Sequence, residues 1–122
     1  MNTILWIAQA LLAFGFIGVG LMHVFRFEQY TANPRMAWGI DVGRTNLAII
    51  GVLELAGGVG VILPAVSGVQ PWLTGVAASG LVLVMAAAIF FHLRRREPVA
   101  FNAILGAIAL FVSVGRLVIQ PL

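Results

Sequence analysis

Four runs of about twenty residues, each almost free of charge, are set between short polar connectors along this chain. A helix rises 1.5 Å per residue, so each run is long enough to cross a hydrocarbon core of roughly 30 Å. The expected fold is all-α: an antiparallel bundle of four transmembrane helices, forming one domain over residues 1–122. Its spans are expected at about 4–25, 45–63, 71–93 and 99–119.

Composition supports the same class, since only 9% of residues are charged and 61% are hydrophobic, whereas about a quarter of a soluble domain is charged. The first run contains Ala8-Gln9-Ala10, which has the form of a signal-peptide cleavage site. No basic segment precedes it and the apolar run is too long, so it reads as a retained helix. The chain has no cysteine, which excludes disulfides, thiolate metal sites and a cysteine nucleophile. Redox chemistry would need a borrowed cofactor.

The net charge of +3 comes from arginine alone. Arg26, Arg35, Arg44, Arg94, Arg95 and Arg96 border the apolar runs in the first and third connectors, where topology signals lie. They are read as membrane-facing rather than nucleic-acid-binding. By the positive-inside rule both connectors are expected to be cytoplasmic and both termini outside, in a multi-pass inner-membrane protein. Tyr30, Trp38, Trp6 and Trp72 suit the headgroup level, and Asp41 is placed to bridge to an arginine.

Within the second run stands one carboxylate, Glu54. An ionisable group inside a membrane is costly, so it is a functional candidate with a partner expected nearby. At 100° per residue, Gln9 and His23 share a stripe of the first helix, Thr74, Met85 and His92 one of the third, and Asn102, Ser113 and Arg116 lie along the fourth. The antiparallel arrangement puts His23, His92 and Asn102 toward the same end as Glu54, with Gln9 and Arg116 at the other. Arg116 is expected to snorkel to the outer surface or to pair with Gln9, rather than to form an anion site. His23 and His92 also share the pattern H-x-x-R at the ends of their helices, the mark of a duplicated helical hairpin or of chance.

The face of Glu54 carries Gly51, Gly57 and Gly58. Small residues there either let a neighbouring helix approach or leave a gap for a ligand. The candidate site is therefore Glu54, His23 and His92 as proton-handling groups, with Gly51, Gly57, Gly58, Met85 and Asn102 as the ligand-lining set. The two histidines lack H-x-x-H or E-x-x-H spacing, so no metal site is assigned.

Four short spans, the run Gly51-Val-Leu-Glu54-Leu-Ala-Gly57-Gly58, and a third helix closing as Met85-Ala-Ala-Ala-Ile-Phe-Phe-His92-Leu together resemble the DoxX-like family of small bacterial membrane proteins. Where members of that family often carry lysine near the end of the first helix, this chain has His23. The resemblance implies a membrane module, associated in some members with quinone-linked oxidoreductases. It thus brings in a quinone as a bound lipophilic molecule and an oxidoreductase as partner. Two other readings stay open: a stand-alone enzyme performing isomerisation, epoxide opening or cyclisation on an apolar substrate with Glu54 and a histidine, and an assembly or scaffold protein. A homo-oligomer in contact with membrane lipid is expected, since four short helices enclose little space.

Overall fold

The computed structural model describes all 122 residues and contains helices and turns only. Four of its helical stretches, Asn2–Phe25, Arg44–Ser67, Leu73–Arg94 and Ala100–Ile119, are long and apolar enough to cross a membrane. Helix α1 (Asn2–Phe25) leads into a connector that holds two short helices, α2 (Phe27–Ala32) and α3 (Trp38–Val42), separated by a 3₁₀ turn at Pro34–Met36. The Asn33 side chain caps that turn by accepting from the Arg35 N–H at 3.0 Å. Gly43, at φ 94°, supplies the left-handed residue through which the chain turns into α4 (Arg44–Gly60).

The second span does not stop at Pro64, as the sequence suggests. Proline has no N–H and its ring crowds the carbonyl four residues earlier, so the helix breaks after Gly60. Proline is tolerated in a first turn, and a short helix α5 (Leu63–Ser67) restarts around Pro64. Helix α6 (Leu73–Arg94) and helix α7 (Ala100–Val114) complete the bundle, and α7 ends in a π turn over Gly115–Ile119.

Helix α1 packs on α4 and α7, and α6 packs on the same two, so the four long helices form a ring of antiparallel neighbours. Their shared core is Ala8, Leu12, Ala13 and Phe16 from α1, Val61, Ala78, Leu81 and Met85, with Ala109 and Val112 from α7. The outward faces are almost wholly apolar, with Phe14, Leu83, Phe101 and Val118 each exposed. That inversion is stable where lipid, not water, surrounds the helices.

Glycines fix how closely α1 and α4 approach. A Cβ on Gly20 would lie 2.8 Å from the Gly51 carbonyl oxygen, and one on Gly51 would lie 2.9 Å from the Gly20 carbonyl oxygen. Backbone meets backbone here, as in other small-residue membrane crossings. This contact brings the end of α1, which carries His23, against the middle of α4, which carries Glu54.

Candidate functional site

His23 and Glu54 share a hydrogen bond of 2.6 Å between Nδ1 and Oε1. Each residue is only 3% exposed. The carboxylate fixes which imidazole nitrogen faces it, and the other nitrogen, His23 Nε2, is buried with no hydrogen-bond partner in the chain. An unsatisfied buried ring nitrogen costs on the order of 1–3 kcal/mol. It is therefore the atom at which this pair can meet something else.

The connector folds back over the pair. Tyr30 stands edge-on to the His23 ring with centroids 4.5 Å apart, and Trp38 does the same at 6.1 Å. Trp38 in turn meets the His92 ring at 4.8 Å and Phe91 at 6.0 Å. The aromatics of the connector thus turn inward on the histidines, where sequence alone suggested a headgroup role. Edge-to-face pairs of this kind contribute about 0.5–1.5 kcal/mol each beyond their burial. Burial, and secondarily the negative charge of Glu54, push the Tyr30 phenol well above its ordinary pKa.

His92 does not join Glu54. Its Nδ1 instead bonds Glu97 Oε1 at 2.9 Å, and Glu97 also accepts from Arg95 Nε at 3.0 Å. The reason is local: the chain reverses just after Arg94, and the Glu97 N–H returns to the His92 carbonyl at 2.9 Å, which sets the carboxylate beside the ring. Bonding to His92 and then to Arg95 holds the Glu97 carboxyl below the usual glutamate range. Arg95 also pairs with Asp41 at 2.8 Å, tying α3 of the connector to the end of α6. A second pair, Glu28 with Arg44, joins α2 to the start of α4.

The remaining candidates lie apart. Gly51 takes α1 at the level of His23, Gly58 faces Ile17, and Gly57 faces Leu81. Gly57 also borders a shallow groove of about 230 Å³ between α4 and α6, lined by Leu53, Ala56 and Ala77 among others. Met85 is in the core beside Gly106, and Asn102 is half-buried near the start of α7. Tyr30, Trp38, Phe91 and Glu97 are the site residues that the polar-stripe reading left out. Only Glu97, five residues after His92 in a charged turn, leaves a signal in the sequence.

Arg116 is buried, not snorkelled: its Nε donates to Gln9 Oε1 at 2.7 Å, at the far end of the bundle from Glu54. The π turn carries it inward, and Gln9 is itself anchored by donating to the Val61 carbonyl at 2.8 Å.

Chemically, an imidazole with one nitrogen on a carboxylate and the other free can release a proton at Nε2 and regain one at Nδ1. The rings of Tyr30 and Trp38 cover the His23 side of the pair. A family model described as the DoxX-like family matches residues 7–114, and the chain belongs to that family. No curated protein and no solved structure matches it.

Proposed function

We propose that this DoxX-like membrane protein binds a lipophilic small molecule of the quinone class and exchanges protons with it through His23 and Glu54, as the membrane module of an oxidoreductase system. The observation that carries the reading is the buried 2.6 Å pair with His23 Nε2 unsatisfied. A quinone fits what is present there, because its carbonyl oxygen accepts from an N–H and its ring suits aromatic neighbours such as Tyr30 and Trp38.

When bound, such a molecule supplies two-electron redox chemistry coupled to protons. The chain's own part is narrower. His23 presents Nε2, Glu54 holds the proton balance at Nδ1, and the connector excludes water. In this reading the electrons come from the partner, and the chain, which has no cysteine, supplies no dithiol couple. The topology in this reading puts the arginine-bearing end in the cytoplasm. It also sets a second copy of the chain against the apolar outer face of α6, where Val76, Leu83 and Phe90 are exposed.

The experiment is mass spectrometry of small molecules extracted from gently purified protein, comparing the parent with Glu54→Gln. A quinone retained by the parent and lost from the variant supports the reading. Identical extracts, or none, remove it. The carboxylate–imidazole pair is also a complete general acid and base on its own, and turnover of an apolar substrate by the purified chain without a partner would select the stand-alone enzyme instead.

A further inference from the structure

The end of the bundle remote from Glu54 holds a cation that the proton site does not use. Arg116 is 3% exposed, and no aspartate or glutamate side chain pairs with it. Glu28 is engaged with Arg44, Asp41 with Arg95, Glu54 with His23, and Glu97 with His92 and Arg95. What holds the guanidinium is neutral. Its Nε donates to Gln9 Oε1 at 2.7 Å, and Nη1 donates to Asn2 Oδ1 at 2.7 Å and to the Gln120 carbonyl at 3.1 Å. The Trp6 ring lies 5.4 Å from its central carbon.

Those three bonds use the single N–H of Nε and both N–H groups of Nη1. Both N–H groups of Nη2 remain, on an atom that is buried and has no acceptor. A second donor stands unpaired at the same end: Thr74 Oγ1, in the first turn of α6, is buried without a partner. Its neighbour Gly75 packs against Leu117 of the π turn that carries Arg116.

Widened π turns recur at functional sites, because they re-aim side chains that a regular helix would place elsewhere. Neutral oxygens orient the guanidinium but leave its charge without a counter-charge, which is strongly unfavourable in a buried position. Arginine cannot be deprotonated and offers only donors, so the missing group is an acceptor that carries negative charge. Asn2 and Gln120, which flank the guanidinium, are exposed, so the approach runs between these two residues.

We infer that Arg116 Nη2, with the Thr74 hydroxyl as second donor, binds one oxyanion, a phosphate or carboxylate, at the end of the bundle opposite Glu54. Such a group has two sources: the headgroup of an anionic amphiphile, or a free anion. The site stands independently of the proton-exchange reading.

Native mass spectrometry of the full chain in neutral detergent tests it, with phosphatidylglycerol, inorganic phosphate and a neutral diacylglycerol as probes. One saturable adduct with an anionic probe, and none with diacylglycerol, is expected. Thr74→Val should weaken that adduct by about tenfold, the effect of one lost charge-assisted bond. Arg116→Gln should abolish it, and Glu54→Gln should leave it as in the parent. Adducts with phosphatidylglycerol alone assign the headgroup source, and adducts with phosphate as well assign the free anion. If Arg116→Gln does not fold, Thr74→Val decides. The absence of a saturable anionic adduct, equal binding of diacylglycerol, or an unaltered adduct in Thr74→Val would overturn the inference.

Discussion

His23 Nδ1 and Glu54 Oε1 meet at 2.6 Å although 31 positions separate them in sequence. The close helix crossing that lets them meet is made at glycine. Gly20 and Gly51 put backbone on backbone between α1 and α4, and His23 stands one turn beyond Gly20 while Glu54 stands one turn beyond Gly51. Packing and chemistry are therefore one feature here, and each can be tested by disturbing the other.

Replacing Glu54 separates hydrogen bonding from charge. Gln keeps an acceptor for His23 Nδ1, so thermal unfolding in detergent should show a loss of about 1 kcal/mol or less. Leu leaves the nitrogen buried and unpaired, and the loss should reach about 1–3 kcal/mol. The proton exchange proposed for the pair should vanish in both. Equal unfolding of the parent, Gln and Leu proteins would mean that the pair contributes nothing to the fold.

The crossing is tested by alanine. A Cβ on Gly20 would meet the Gly51 carbonyl and one on Gly51 would meet both the Gly20 carbonyl and His23 Cβ at 2.9 Å. Backbone cannot give way cheaply, so Gly20→Ala and Gly51→Ala should each destabilise by about 1–3 kcal/mol. Gly18 and Gly80 have nothing within 4 Å of such an atom. Alanine there should stay within roughly 0.5 kcal/mol of the parent. A ranking in which Gly18→Ala costs as much as Gly51→Ala would contradict the geometry.

These positions also show how far the sequence carries. Run length and charge locate the four long helices, because lipid leaves the backbone little choice. Helical phase turns Glu54 inward, and antiparallel order brings His23 to its depth. The Gly51, Gly57 and Gly58 stripe leaves close approach and ligand gap undecided, since that depends on which helix lies opposite. His92 shares depth with Glu54, yet it turns to Glu97, a contact made by the reversal after Arg94. The fold of the connector is illegible for a related reason: its aromatics have no periodicity, and what seats them is the pairing of Asp41 with Arg95 and the packing of Trp38 on His92.

That seating should depend on pH. The Glu97 carboxyl is held below the usual glutamate range by His92 first and Arg95 second. A depressed folded-state pKa contributes stability above the unfolded value, and that contribution is lost as pH falls through the folded value. The link between α3 and α6 should thus persist at neutral and mildly acidic pH and loosen only below the ordinary carboxylate range. Fluorescence of Trp38, read in a protein carrying Trp6→Phe and Trp72→Phe, should report the change through its contact with His92. Glu97→Gln should remove the part of this transition that Glu97 carries, leaving the Asp41–Arg95 pair in place. The same acid titration in parent and variant would show that Glu97 does not hold the connector.

Tyr30 gives the most direct reading of the site, because it is the chain's only tyrosine. Burial raises its phenol above the ordinary 10.0, and the charge of Glu54 raises it further. A raised folded-state pKa means that the stabilising contribution is complete below 10.0 and falls as pH rises toward the folded value. In an alkaline titration followed by tyrosinate absorbance, the folded protein should remain un-ionised where the denatured chain is already half ionised. Glu54→Gln removes the smaller cause and leaves burial, so its midpoint should fall below that of the parent and still exceed the denatured value. Ionisation of folded parent at the denatured midpoint would mean that the connector does not cover His23. An identical midpoint in Glu54→Gln would mean that Tyr30 does not sense the carboxylate, and that the aromatic cover and the proton pair act separately.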